Sequence, residues 1–142
     1  MNEYCTELTF SEIKINLKKS FKIIISSELI ENFAKISGDY NPLHMDEEYA
    51  KTTKFKKRIA HGMLLASFFS RLAGMYIPGK RSLYMSQSIK FLSPCFVGEI
   101  IDVEGKVISK SESTQIITLD VSIKNSLKEL LVKGESKILV RD

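Results

Sequence analysis

Residues 62–75 read GMLLASFFSRLAGM, and their pattern predicts a helix that is apolar on almost every side. Gly62 opens this helix, and Pro78 with Gly79 ends it. Polar and charged residues interrupt the apolar segment 59–78, so we interpret it as a buried helix and not as a membrane span. A helix of this kind has to be covered by other protein surface.

The part of the chain that follows this helix has the pattern of β-strands. Side chains alternate along residues 83–91, and strand-like runs follow at 99–108, 114–124 and 129–140. Short polar, glycine or proline breaks separate the runs, which predicts an antiparallel meander. Together with one long apolar helix, these strands predict an α+β domain whose sheet curls around the helix. The edge strands of such a sheet invite pairing with a second copy.

Local start and stop signals define the elements before the main helix. Residues 18–25 alternate and then become apolar, which predicts a strand. Ser26 or Ser27 can cap a helix that Gly38 ends. Asp46 can cap a further short helix, with acidic residues in its first turn. The helix before Gly38 is predicted to bury one apolar face that comprises Leu29, Ile30, Phe33, Ala34 and Ile36.

Composition indicates one globular domain that spans residues 1–142. The chain is 44% hydrophobic and carries a mild net charge of +4. Cys5 and Cys95 have neither metal-ligand spacing nor a disulfide framework, which favours a cytoplasmic protein. The first 20 residues contain no continuous apolar core, so they do not have the pattern of a secretory signal.

Residues 39–44, DYNPLH, place a carboxylate, an amide and an imidazole within six positions. Pro42 keeps Asn41 out of the helical region, so this stretch is predicted to be a stiff loop and not a helical turn. Such a loop can direct Asp39 and His44 at one water and move its protons. Two other interpretations remain open. The stretch could be a turn that only stops the helix. It could also be part of a metal site built from Asp39, His44, Asp46 and His61, although the chain lacks the paired-His spacing of a helical metal site.

Three stretches together resemble the hydratase motif of MaoC-like (R)-specific enoyl-CoA hydratases. They are residues 37–44, SGDYNPLH, residues 59–64, IAHGML, and residues 78–91, PGKRSLYMSQSIKF. The resemblance extends from about residue 18 to the end of the chain. It implies a hot-dog fold, in agreement with the helix and curled sheet predicted from the pattern. It also implies a homodimer that binds an acyl thioester at the subunit interface.

The resemblance implies a reaction as well, with Asp39 and His44 as the catalytic pair. Water adds across the C2=C3 bond of a trans-2-enoyl-CoA to give the (R)-3-hydroxyacyl-CoA, and the reaction is reversible. Negative charge develops on the thioester oxygen as water attacks C3. The backbone N–H of Gly62, at the start of a helix, can stabilise that charge. Which of Asp39 and His44 acts as base is left open.

Three further positions are implied to support the site, and each also has a plain structural interpretation. Asn41 is expected behind the catalytic pair, or is a turn former. Ser70 is expected to line the site, or bonds back to the preceding helical turn. Ala73 shares its helix face and leaves room for an acyl chain, or fills the core. His61 is interpreted as a structural neighbour of the glycine, and no metal, nicotinamide or flavin is expected.

A basic run occupies residues 51–58, where five of eight side chains are Lys or Arg: Lys51, Lys54, Lys56, Lys57 and Arg58. The run is either a solvated loop or a binding surface for a phosphorylated or acidic partner. Nucleic acid is not expected, since the run is short and only Phe55 could stack on a base. Lys54, Lys56 and Lys57 are therefore candidate contacts to the phosphates of CoA, each exposed and of modest effect.

Three alternative functions remain at this point. A 3-hydroxyacyl-[acyl-carrier-protein] dehydratase would use the same motif in the reverse direction on a carrier-bound chain. A hot-dog thioesterase would leave the motif around Asp39 unexplained. A non-catalytic acyl-CoA-binding protein would not need both Asp39 and His44.

Overall fold

The structure, a computed structural model, describes residues 4–142. Its helices and strands confirm most of the predicted elements, with small shifts at their ends. In chain order they are a 3₁₀ turn at Phe10–Glu12, β1 (Lys18–Ile24), α1 (Ser27–Ser37), α2 (Pro42–Met45), α3 (Glu47–Lys51), α4 (Gly62–Arg71), a π-helical turn at Leu72–Tyr76, β2 (Ser82–Phe91), β3 (Ile100–Ser111), β4 (Ile116–Asn125) and β5 (Leu130–Val140).

The strands of the described chain form one antiparallel sheet in the order β1-β3-β4-β5-β2. The predicted meander is therefore right for β3, β4 and β5 and wrong for β2. Strand β2 precedes β3 in sequence but pairs with β5. Residues 92–99 connect β2, at one edge of the sheet, to β3, which lies next to β1 at the opposite edge. Strands β1 and β2 are thus the two edges, as far as residues 4–142 show.

Helix α4 packs against the inner face of the sheet and supplies much of the core. Its buried side chains Leu64, Leu65 and Phe69 join the buried strand residues in one apolar cluster. The π-helical turn that follows α4 comes close to β3 at Gly105, where an added Cβ would lie only 2.5 Å from Cδ2 of Leu72. A larger residue would push this turn away from the sheet, so the absence of a side chain sets the spacing.

The sheet packs on α4 as predicted, and the described chain leaves part of the helix surface uncovered. Met63 is 56% exposed, and Ser67 and Ser70 are also exposed. These residues face the side of the helix nearest the edge strand β2. Within residues 4–142, no helix is both long and apolar enough to cross a membrane.

Helix α1 begins and ends as predicted, but its apolar face is narrower. The Ser26 side chain accepts a hydrogen bond from the Leu29 N–H, and Gly38 ends the helix at φ 78°. Ile30 and Ala34 are buried, whereas Ile36 is 87% exposed, so its assignment to the buried face is wrong. At about 100° per residue, Ile36 points roughly 200° away from Ala34 around the helix axis.

The stretch around Asn41 contains a short helix, so the predicted stiff loop without a helical turn is wrong. Helix α2 starts at Pro42, and the Asn41 side chain caps it by accepting the Leu43 N–H. The physical reason is that proline suits the first position of a helix, where its missing N–H costs nothing. Proline keeps Asn41 non-helical, as expected, and thereby makes it the cap.

Candidate active site

His44 lies in α2 with its ring fixed by the main chain. Its Nδ1 is 2.7 Å from the Ile59 carbonyl oxygen. Because a carbonyl oxygen only accepts hydrogen bonds, Nδ1 carries the proton and Nε2 of the neutral ring is an unprotonated acceptor. The main chain of His44 is held as well, since Arg58 Nη1 donates to its carbonyl oxygen at 3.2 Å. This arrangement presents Nε2 as a proton acceptor of fixed orientation.

Asp39 follows the end of α1, and its side chain is exposed. One carboxylate oxygen, Oδ1, accepts a hydrogen bond from the Asn41 N–H at 3.1 Å. The carbonyl oxygen of Asp39 lies 2.9 Å from Nε2 of His61, which donates to it. Asn41 therefore supports Asp39 through its main chain, while its side chain caps α2.

His61 is the residue that joins the two predicted catalytic groups, a role that the sequence interpretation missed. It is only 2% exposed. Its ring lies 4.1 Å from that of His44 and 4.8 Å from that of Phe33, measured between centroids. Burial lowers the pKa of His61, and His44 adds to this effect, while the hydrogen bond to Asp39 and the charge of Asp39 oppose it. The signal in the sequence was that both histidines of the chain lie in motif stretches, one in residues 37–44 and one in residues 59–64.

A cavity of about 510 Å³ opens beside His44. Its wall includes Gly62, the first residue of α4, whose N–H has no carbonyl to bond within the helix. Phe91 packs so closely that a Cβ on Gly62 would lie 2.8 Å from its ring. Cys95 also lines the cavity, but burial raises its pKa to about 12, so it stays a thiol and is no nucleophile.

A second opening, a groove of about 410 Å³, runs along the uncovered side of α4. It includes Ser70, while Met63 borders both openings. The groove wall is mostly apolar. Its polar groups are the hydroxyls of Ser67 and Ser70 and a hydrogen-bonded group in which Tyr84 and Ser136 both donate to Oε1 of Gln87. Ala73 is not among the groove residues of the described chain: it is 1% exposed and belongs to the core, which is the structural interpretation left open above.

The residues of the basic run differ in their positions relative to the cavity beside His44. Lys54 lines the cavity beside His44, while Lys56 and Lys57 are exposed and lie outside its wall as far as residues 4–142 define it. Arg58 is not a flexible exposed cation, which corrects that expectation. Its side chain is 15% exposed, and besides His44 it bonds Glu47 and Ser27, at 3.3 Å and 3.0 Å.

The three side chains of Asp39, His44 and His61 are suited to proton transfer. One nitrogen or oxygen atom from each side chain lies within 4.8 Å of the corresponding atoms of the other two. Both rings donate one N–H to a carbonyl oxygen, so each keeps one nitrogen lone pair, and the carboxylate adds an acceptor. These groups are also of metal-binding type. Asp46, the fourth residue of the metal interpretation, instead caps α3 by accepting the Tyr49 N–H.

Comparisons with known proteins agree on one family. The sequence profile of the MaoC like domain matches residues 9–128. The (R)-specific enoyl-CoA hydratase of Aeromonas caviae is 45% identical over 106 residues, which cover 75% of this chain and 79% of that protein. The (R)-specific enoyl-CoA hydratase of Rhodospirillum rubrum is 36% identical over 131 residues, or 92% of this chain and 90% of that protein.

Among solved structures, the chain is similar to the unliganded R-hydratase PhaJ1 from Pseudomonas aeruginosa. The TM-score is 0.93 at 30% identity, with 97% of this chain and 88% of the other covered. The antiparallel sheet with its central helix is therefore the hot-dog fold that the sequence resemblance implied. On both its sequence and its fold, the chain belongs to the MaoC-like family of hydratases and dehydratases.

Proposed function

We propose that this protein is an (R)-specific enoyl-CoA hydratase, a hydro-lyase that adds water reversibly to a trans-2-enoyl-CoA. The observation that carries the proposal is the convergence of Asp39 with His44, whose neutral ring keeps an unprotonated Nε2. Gly62, whose N–H has no partner within α4, lines the same cavity as His44. The names of the similar hydratases support the same reaction.

The proposed mechanism uses these groups on one water and one thioester. Asp39 and His44 hold the water, whose oxygen bonds to C3 of the enoyl group as one of the pair accepts its proton. The C2=C3 electron pair shifts towards the thioester, and the Gly62 N–H stabilises the negative charge on its oxygen. The catalytic pair, which has gained one proton from the water, delivers one proton to C2, completes the (R)-3-hydroxyacyl thioester and returns to its starting protonation state. Whichever of these two transfers His44 carries out, it uses Nε2, because Nδ1 already donates to Ile59.

The two openings suggest where the parts of the substrate lie. The thioester is proposed to lie in the cavity at Gly62, with the acyl chain in the apolar groove past Met63 towards Ser70. Lys54, on the cavity wall, is the candidate contact to the CoA phosphates, with Lys56 and Lys57 farther out. No cofactor is needed for this chemistry.

The proposed active form is a homodimer. Edge strand β2 exposes Leu83, Met85 and Phe91, and the uncovered side of α4 lies next to it. A second copy that pairs with β2 would extend the sheet and cover both surfaces at once. The cytoplasmic location expected from the cysteines remains a prediction.

Purified protein incubated with crotonyl-CoA and longer trans-2-enoyl-CoAs tests this function. We expect loss of the enoyl absorbance and formation of the (R)-3-hydroxyacyl-CoA, identified by chiral chromatography. The same acyl chains are also assayed as acyl-carrier-protein thioesters, to determine whether the enzyme prefers CoA or the carrier protein. A kcat/KM that favours the carrier-protein substrates would support the dehydratase alternative, and release of free CoA with no hydroxyacyl product would make the protein a thioesterase.

A further inference from the structure

His61 occupies an unusual position for the residue that precedes a helix. It is the N-cap of α4, yet its side chain makes no capping hydrogen bond in the described chain. Ser, Thr, Asp or Asn is the usual choice at an N-cap, because their oxygens accept the N–H groups of the first turn. The His61 ring instead turns towards the active site, where it lies between the rings of His44 and Phe33.

The hydrogen bonds of His61 define its tautomer. Nε2 donates to the carbonyl oxygen of Asp39 at 2.9 Å, so in the neutral ring Nδ1 is the bare nitrogen. This Nδ1 is buried and has no hydrogen-bond partner within residues 4–142. A buried acceptor without a donor costs free energy that an apolar ring of similar size would avoid. The ring is therefore a poor choice for stability alone.

We propose that His61 is a positioning residue of the reaction: it fixes the main chain of Asp39 and supports one face of the His44 ring, so that both groups meet on one water. The geometry supplies both contacts from one buried side chain, the first through Nε2 and the second through ring packing at 4.1 Å. The activity readout of this inference rests on the proposed hydratase function.

The charge state of His61 suits this role. Burial lowers its pKa, and the two groups that face it, Asp39 and His44, act on it in opposite directions. A neutral His61 keeps its single N–H on the Asp39 carbonyl. It also adds no positive charge beside the catalytic pair while protons move between the pair, the water and C2.

Two substitutions separate positioning from simple structural support. His61→Phe keeps the ring and its packing but loses the hydrogen bond to Asp39. His61→Gln restores an N–H donor of similar reach. We expect His61→Phe to lower kcat about 10-fold or more, the scale of a misplaced catalytic group, with KM within about twofold of the wild-type value and unfolding midpoint unchanged or higher. His61→Gln should recover most of kcat.

Thr118→Val is the matched control, because it also replaces a buried polar residue, on β4.

Nitrogen-15 NMR gives a readout that does not depend on activity, because the chain contains only two histidines. We expect one ring to be protonated at Nε2, with a bare Nδ1, and the other to be protonated at Nδ1. In His61→Ala, which removes the ring that packs on His44, the His44 ring should lose its single orientation, seen as faster exchange of its Nδ1 proton. His61→Phe, which keeps this packing, should leave that exchange at the wild-type rate.

The kinetic and NMR results decide whether His61 is a positioning residue. Wild-type kcat in His61→Phe, or a loss of kcat that only follows a loss of folded protein, would overturn it. So would a wild-type His61 protonated at Nδ1. If the wild-type protein showed no hydratase activity at all, the proposed function would fall, while the NMR comparison of His44 would still test the positioning role.

Discussion

At the scale of single residues, chemistry rests on Asp39 and His44. We expect Asp39→Asn and His44→Gln each to lower kcat at least about a hundredfold, the range for loss of a general acid or base. The fold should tolerate both changes, since the Asp39 side chain is exposed and accepts a main-chain N–H that Asn can also bond. Steady-state kinetics with crotonyl-CoA measure the effect, and Asp120→Asn on the exposed face of β4 serves as control. Near-wild-type turnover in either variant would remove that residue from the mechanism.

The basic run gives a second prediction at the residue scale, because the structure separates lysines that the sequence could not. Lys54 borders the cavity, while Lys56 and Lys57 extend into solvent. We expect Lys54→Gln to raise KM for enoyl-CoA about two- to fivefold with kcat nearly constant, in keeping with the 0–1 kcal/mol of a surface ion pair. The double variant Lys56→Gln/Lys57→Gln is the matched comparison.

Initial rates at increasing salt concentration give the measurement for these variants. Salt should raise the wild-type KM and narrow the difference from Lys54→Gln, since exposed charges are screened. If the double variant has the larger effect, the phosphates lie farther out than the cavity wall. Equal KM values at every salt concentration would mean that the whole run is a solvated loop.

At the scale of elements, α2 and α3 keep their positions partly through Arg58. This side chain reaches the His44 carbonyl, Glu47 and Ser27, so it ties both short helices to the start of α1. We expect Arg58→Met to lower the free energy of unfolding by about 1–3 kcal/mol, the range for buried hydrogen bonds to a charged group. Arg58→Lys should recover only part of this free energy of unfolding, because an ammonium group cannot donate to several acceptors with the fixed geometry of a guanidinium group.

Urea denaturation measures the stability of these variants, and kinetics measured well below the unfolding midpoint report on the site. We expect kcat to fall in both, since the main chain of His44 loses a support. Lys51→Gln, which breaks an exposed ion pair with Glu48, is the control within the same run. A stability equal to that of the control would show that Arg58 is no more than a surface charge.

The elements also show how far the sequence alone could lead. The ends of α1 were predictable because Ser26 and Gly38 act locally, as were the strand runs. The order of the strands was not, since the pairing of β2 with β5 depends on contacts far apart in sequence. The motif indicated Asp39 and His44, but the role of His61 depends on which carbonyl its ring meets, and no spacing rule contains that information.

At the scale of the whole molecule, the described chain leaves a surface that an isolated protein of this size would be expected to cover. Strand β2 exposes Met85, which is 53% accessible. The groove along α4 is bordered by Met63, Ser67 and Ser70 of that helix and also by residues of β2. Exposed apolar surface next to an unpaired strand edge favours association with an identical surface about a twofold axis.

This argument predicts that Met85→Lys converts a dimer into a monomer and abolishes most of the activity. A buried lysine at a symmetric interface would face its own copy, so two unpaired charges would oppose pairing. Met85→Leu keeps the apolar contact and should remain dimeric and active. Light scattering measures the molecular mass of each variant. Specific activity is measured as the protein is diluted, and it should fall as the dimer dissociates. A monomeric Met85→Lys with full activity would mean that Asp39, His44 and the groove are complete within one chain, and that the exposed edge serves some other contact.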